Sequence, residues 1–177
     1  FALGEGAPRA QLVRRKDAGR VAVQRAALLA LARQAAPEVA AFLTHADEQL
    51  RYEAARAIYE TPIPAAIPQL ARLAYDDEPD SDRVDWRAVN AARMRGEVED
   101  GEALVHVATS AAHPAKVRLE ALDILSEWPR PHGQCRVIGN WRPCEHSSPE
   151  IVAQLVEAAG PQLLGDRITA AAAARAA

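Results

Sequence analysis

Residues 50–58 have the sequence Leu50-Arg-Tyr-Glu-Ala-Ala-Arg-Ala-Ile58, and the pattern recurs at Val84-Asp-Trp-Arg-Ala-Val-Asn-Ala-Ala92 and Val117-Arg-Leu-Glu-Ala-Leu-Asp-Ile-Leu125. Each stretch begins with an aliphatic residue, has a large apolar residue two positions later, and then places alanine or leucine at helical spacing. The three starts, at 50, 84 and 117, lie 34 and 33 residues apart, which is typical of a two-helix repeat. A looser copy begins at Val21, and the stretch from Asp166 is a candidate for a fifth.

Amphipathic stretches lie between these segments, at residues 37–44, 64–74, 101–112 and 149–159. Three of the four begin with proline, which the first turn of a helix accepts because the missing N–H has no partner there. No sustained alternation of apolar and polar residues indicates a strand. A single helix pair cannot bury its own apolar face, so successive pairs must stack. The sequence therefore predicts an all-α fold, a right-handed α-solenoid of about four to five helical hairpins.

Composition supports this class and excludes two others. The chain has 40 alanines and 8 aromatic residues among 177, so its core must be built from helices that approach closely. The net charge of −3 argues against binding nucleic acid by neutralising phosphates, and no apolar run reaches the ~20 residues of a membrane span. We expect one domain over residues 1–177. Because the chain lacks an initiator methionine and ends in the alanine-rich stretch Ala170–Ala177, we expect it to be a fragment of a longer protein.

An insertion of about 20 residues, 129–149, delays the last repeat and contains both cysteines. His132, Cys135, Cys144 and His146 form the ligand set of a structural zinc site, although their spacing matches no common finger. A disulfide between Cys135 and Cys144 would close a short loop and stabilise the chain by about 2–3 kcal/mol in an oxidising compartment. Two unpaired thiols are the third interpretation, and the residues leave all three open.

Trp141, followed by Arg142, is the most distinctive side chain of this insertion. Tryptophan and arginine are enriched at the centres of protein interfaces. The pair is a candidate partner surface, with packing of the inserted loop as the alternative role for Trp141.

The pattern (Leu/Val)-Arg-x-Glu-Ala, at Leu50–Ala54 and Val117–Ala121, resembles the second helix of HEAT and HEAT-like repeats. The resemblance implies a ladder of aspartate and arginine side chains between neighbouring repeats, which would use Asp47, Arg51 and Arg118. The unit at Val84 departs from this pattern, because Asp85 stands where the arginine is expected.

Residues of about 40 to 145, with stretches such as Trp128-Pro-x-Pro-x-Gly133 and Trp141-Arg-Pro143, look like the HEAT region of large secreted planctomycete-type proteins that combine dehydrogenase and haem domains. The resemblance implies a non-catalytic scaffold that binds protein partners or neighbouring domains, in a periplasmic or secreted redox protein for which dehydrogenase is the expected activity. The haem-attachment motif Cys-x-x-Cys-His is missing here, so we expect no cofactor. If the secreted context does not hold, a cytoplasmic location is the alternative.

An enzyme is the competing hypothesis, namely a HEAT-like lyase or DNA glycosylase that uses the concave face of the solenoid. It would need a deep pocket in which a carboxylate or a histidine lies among aromatic residues, and Asp85 beside Trp86, both exposed in such a pocket, would favour the enzyme. No set of residues forms a recognisable catalytic triad, and His45, His106 and His113 are predicted to lie apart on different elements.

Overall fold

A computed structural model describes residues 8–17 and 19–170. Over these ranges the protein is helical and has no strand, apart from one isolated antiparallel bridge between Gln134 and Trp141. The all-α prediction is therefore confirmed. The α-helices are α1 (Arg9–Arg14), α2 (Val21–Arg33), α3 (Glu48–Glu60), α4 (Ile67–Ala71), α5 (Asp82–Arg95), α6 (Val98–Thr109), α7 (Ala115–Ser126) and α8 (Pro149–Gly165). Four 3₁₀ helices accompany them: Arg15–Asp17, Pro37–Phe42, Pro64–Ala66 and Arg72–Tyr75.

The three repeated segments of the sequence form α3, α5 and α7. Each helix begins two residues before its copy of the pattern, so the 34- and 33-residue spacing is also the spacing of the helix starts. The leading aliphatic residues Leu50, Val84 and Val117 are all buried. The repeat is thus a repeat of core positions.

The predicted partner helices differ from expectation where proline is frequent. Residues 37–44 form a 3₁₀ helix, and residues 64–74 are divided among two 3₁₀ helices and the short α4. Pro68, within α4, has no N–H to donate to the carbonyl of the preceding turn, which weakens a continuous α-helix there. In contrast, α8 continues through Pro161 to Gly165, beyond its predicted end.

Backbone contacts divide the chain into two compact units, Phe1–Leu70 and Ala71–Ala177. In the first unit α2 packs on α3 and on Pro37–Phe42, and Arg25 Nη2 of α2 lies 2.7 Å from Glu53 Oε1 of α3. The prediction of a single domain over residues 1–177 stays a prediction.

In the second unit each of α5 and α6 contacts the next helix and the helix after it, so α5 packs on α6 and α7 and α6 packs on α7 and α8. Small residues allow these approaches: a Cβ added at Gly101 of α6 would lie 2.6 Å from Val152 Cγ2 of α8. No helix in the described part of the chain is long and apolar enough to span a bilayer.

Candidate functional site

The α7–α8 loop, residues 127–148, carries most of the candidate residues, and its tip is a tight turn. The Cys135 N–H donates to Asn140 O and the Gly139 N–H donates to Cys135 O, both at 2.8 Å. The Gln134 side-chain amide donates to Gly139 O at 3.0 Å. The tip therefore has a defined shape although it contains little regular secondary structure.

Arg136 holds the tip of the loop against α7 through ion pairs. Its guanidinium lies 2.8 Å from Glu120 Oε1, 3.2 Å from Asp123 Oδ2 and 3.3 Å from Glu127 Oε1. The hydrogen bond to Glu120 is the main reason why the pKa of Arg136 is raised above its usual value. Glu120 is buried and also accepts a hydrogen bond from Asn90 Nδ2 of α5 at 2.9 Å. One carboxylate thus joins the loop to two successive repeats.

His146 contacts backbone carbonyls near the C-terminal end of the loop. Its Nε2 lies 2.8 Å from Arg93 O and its Nδ1 lies 3.1 Å from Trp128 O, while its ring stacks on Trp128 with centroids 4.1 Å apart. The next residue, Ser147, donates to Gly96 O through its N–H at 2.7 Å and its hydroxyl at 2.9 Å. Burial lowers the pKa of His146. The loop is therefore pinned to the ends of both α5 and α7.

Gly96 is required at this second attachment point. It ends α5 with φ of +66°, a conformation that side chains with a Cβ rarely adopt. An added Cβ would also lie 2.7 Å from His146 Cδ2. The glycine thus provides both the helix end and the space for the imidazole.

The structure does not bring the four proposed zinc ligands together. No group of three or more His, Cys, Asp or Glu side chains among residues 8–17 and 19–170 could hold a metal ion. Both nitrogens of His146 face backbone carbonyls, and His132 Nδ1 accepts a hydrogen bond from the Gln134 N–H at 3.1 Å. These histidines would have to break existing contacts before they could ligate a metal.

No disulfide joins Cys135 and Cys144 in the structure, and the disulfide stays a prediction. Cys135 is buried, and Cys144 is half-buried with its Sγ 3.6 Å from His146 Nε2. Burial raises the pKa of Cys144, so the thiol form predominates at neutral pH. Cys144 therefore lacks the lowered pKa of a catalytic cysteine.

Trp141 packs against the loop and is also largely exposed. Its ring lies against Gly133, where an added Cβ would be 2.6 Å from Trp141 Cζ2, and it meets His132 edge to face. The residue is nevertheless 74% exposed, the highest value among the large apolar residues described as exposed. The neighbouring Arg142 is half-buried, and its N–H donates to Gly133 O at 2.7 Å. The tryptophan is held in place while most of its surface faces solvent.

Of the proposed ladder residues, Arg118 joins two repeats. It is 2% exposed, its Nε donates to Ala108 O at 3.1 Å, and its Nη2 lies 3.0 Å from Asp166 Oδ2. Asp166 Oδ1 accepts the Ile168 N–H, and this bond, with the Arg118 bond, holds the pKa of Asp166 below its usual value. The sequence did not indicate Asp166 as the partner of Arg118. Its position just before a helical turn, like that of Asp47 before α3, is the signal that could have done so.

Asp47 and Arg51 both make local contacts at the start of α3. The Asp47 carboxylate caps α3 by accepting the Leu50 N–H at 3.0 Å. Arg51 Nη1 donates to His45 O at 2.8 Å and to Ala46 O at 3.0 Å. Both side chains therefore shape the entry to α3.

The exposed pair of Asp85 and Trp86 that would favour the enzyme hypothesis does not form on α5. Asp85 is 4% exposed, and burial raises its pKa to about 6. Trp86 is half-buried and lies under Lys116, whose Nζ is 4.3 Å from the centre of a tryptophan ring. The two side chains are therefore not exposed together in a pocket.

His106 and His113 correct the expectation that the histidines lie apart. Their rings meet edge to face with centroids 6.2 Å apart, and His106 Nε2 is 3.2 Å from Asp77 Oδ1. His113 is buried, and desolvation is the main cause of its lowered pKa.

A cavity of about 470 Å³ lies between α7 and α8 and has mainly apolar walls. Ser126 and Glu157 are the polar side chains among its lining residues.

Comparison of this chain with family models, with curated proteins and with solved structures finds no match.

Proposed function

We propose that this chain is a HEAT-like α-solenoid that acts as a non-catalytic scaffold, holding neighbouring domains or partner proteins inside a larger extracytoplasmic redox protein. The observation that carries the proposal is the anchored α7–α8 loop, which presents Trp141 at 74% exposure. The stacking of α5 on α7 and of α6 on α8, and the Arg118–Asp166 pair, support the solenoid arrangement.

The loop is suited to docking because it is already ordered. Arg136 binds two carboxylates of α7 and the carboxylate of Glu127 directly after it, while His146 and Ser147 bind carbonyls at the ends of α5 and α7. A preorganised surface loses little conformational entropy on binding, and tryptophan contributes a large contact area. A partner that covers Trp141 would therefore gain most of the free energy of that contact.

The extracytoplasmic context rests on the resemblance of residues of about 40 to 145 to the HEAT region of secreted dehydrogenase and haem proteins. In such a protein the solenoid would link domains, and the redox chemistry would belong to those domains. No cofactor is proposed for the solenoid itself.

Photo-crosslinking tests the scaffold function directly. Benzoylphenylalanine replaces Trp141 in the intact protein, and the same probe replaces Tyr75, an aromatic residue with 39% exposure, as the control. We expect crosslinks from position 141 to one defined segment of a neighbouring domain or partner, identified by peptide mass spectrometry, and none to that segment from position 75. The absence of a defined crosslink at position 141 would contradict the proposal.

A further inference from the structure

The cavity between α7 and α8 has the form of a groove for a helix. Because α8 packs on α6, a gap is left between α8 and α7. Leu122, Trp128 and Val152 are nearly inaccessible to solvent and form its floor, while Ala153 and Glu157 are exposed at its rim. We infer that this groove binds an amphipathic helix of a partner protein, with apolar residues on one face and lysine or arginine beside them.

The length of the groove fits this occupant. Its lining residues on α8 run from Pro149 to Leu164, which corresponds to about 23 Å, or four helical turns. Leu164, at the far end, is 56% exposed. A partner helix that places apolar residues at i, i+3, i+4 and i+7 would present them along such a stripe.

The negative charge beside the groove favours a partner helix that carries lysine or arginine. Glu157 is the ionisable side chain among the lining residues, and α8 carries Glu150 and Glu157 but no lysine or arginine. A lysine or arginine on the bound helix would meet a carboxylate beside an apolar surface, where the attraction is less screened than in bulk water.

The same charges disfavour a second copy of this chain as the occupant. Two-fold pairing through this groove would place the same acidic face of α8 opposite itself. Like charges brought together at an interface oppose association.

This inference rests on the proposed scaffold function, because it names the kind of partner that one face would hold. It uses α7 and α8, whereas the crosslinking experiment uses Trp141. A defined crosslink at position 141 without binding at the groove would leave the scaffold proposal standing and overturn the inference alone.

The test measures fluorescence anisotropy of the intact protein with two labelled 16-residue peptides. Both carry leucine at i, i+3, i+4 and i+7, and they differ in having lysine or glutamate at the flanking positions. We expect the lysine peptide to bind about tenfold more tightly than the glutamate peptide, and its binding to weaken as salt increases.

Matched variants locate the binding site. Ala153→Arg places a long side chain at the rim, and Ala158→Arg makes the same change at an exposed position of α8 outside the lining residues. We expect Ala153→Arg to raise the Kd for the lysine peptide about tenfold and Ala158→Arg to change it less than about twofold. Glu157→Gln, which removes charge with little change of shape, should weaken binding about threefold and reduce its salt dependence.

Three results would overturn the inference. The lysine peptide does not bind, or it binds the Ala153→Arg variant as tightly as the parent protein, or sedimentation shows a dimer that Ala153→Arg dissociates. Equal thermal midpoints for the two arginine variants exclude misfolding as the cause of a difference in Kd. If the midpoints differ, the Kd of Glu157→Gln tests the groove instead.

Discussion

Arg118 Nη2 of α7 lies 3.0 Å from Asp166 Oδ2, and Asp166 is also the residue that begins the helical turn after α8. The other carboxylate oxygen of Asp166 accepts the Ile168 N–H at 2.8 Å. One carboxylate therefore caps a new helical turn and neutralises a buried guanidinium. The relationship connects α7 to the helical turn that follows α8.

The first prediction concerns this pair. Arg118→Ala leaves a cavity and removes the hydrogen bond to Ala108 O, so we expect a loss of about 2–3 kcal/mol in the free energy of unfolding. Asp166→Asn keeps the shape but removes the charge opposite Arg118, so it should also destabilise the fold. Urea unfolding at pH 7 measures both. Since the pKa of Asp166 is lowered in the folded state, the effect of Asp166→Asn should shrink as pH falls below about 3.8. An unchanged urea midpoint for both variants would show that the pair contributes nothing to stability.

The second prediction compares one substitution at two helical glycines. A Cβ at Gly101 would lie 2.6 Å from Val152 Cγ2, so Gly101→Ala must push α8 away from α6 and should destabilise the protein by about 1–3 kcal/mol. At Gly160 of α8 no atom lies within 4 Å of the added Cβ, so Gly160→Ala should stabilise it by about 0.5–1 kcal/mol. Thermal unfolding of the two variants should therefore give shifts of opposite sign. Shifts of the same sign would mean that α6 and α8 do not approach as closely as described.

The third prediction concerns the buried carboxyl of Asp85. Its pKa is about 6 in the folded protein against 3.8 without burial, so the folded state holds the proton more tightly. Asp85 therefore contributes fully to the free energy of unfolding below about pH 4. This contribution, about 3 kcal/mol at most, is lost as the pH rises through about 6. Asp85→Asn carries no charge, and its amide oxygen can accept the Asp80 N–H in place of the carboxylate oxygen. It should be more stable than the parent protein at pH 7.5.

Asp100 provides the comparison for this experiment, because burial also raises its pKa to about 6. The Asp85→Asn variant should therefore keep a smaller decline of stability between pH 4 and pH 6, not a flat profile. Identical pH profiles for the parent protein and the variant would contradict the assignment to Asp85.

The fourth prediction concerns the cysteines. With neither cysteine in a disulfide, iodoacetamide should label Cys144 slowly in the folded protein, because its pKa is raised and it is half-buried. Cys135 is 2% exposed and should react after denaturation. The intact mass, measured without reductant, should show one label on the folded protein and two labels after denaturation. No labelling in denaturant until a reductant is added would instead show the predicted disulfide and would favour an oxidising compartment.

The repeat pattern predicted the second helix of each hairpin well, because these positions depend on burial alone. Leu50, Val84 and Val117 are buried in three successive helices at the predicted spacing. The first helices were harder to predict. Pro64 and Pro68 together divide a stretch whose apolar periodicity indicates one continuous helix.

The site depended on contacts between residues distant in the chain, which no local pattern contains. His146 was a plausible zinc ligand from its neighbours Cys144 and His132, but its ring is held by Arg93 O, 53 positions earlier. Trp141 could be recognised as distinctive, yet its exposure follows from Gly133 lying beneath the ring. The sequence indicated the chemistry available in the loop and not its partners.

The three carboxylates that bind Arg136 also affect the order in which the second unit folds. Glu120 and Asp123 of α7 and Glu127 directly after its last residue lie close together, and they repel one another when this segment is isolated. The neutralising guanidinium arrives nine residues after Glu127. During synthesis, α7 should therefore gain much of its stability only once residue 136 has left the ribosome, so that the helix and the turn that follows it mature as a single step.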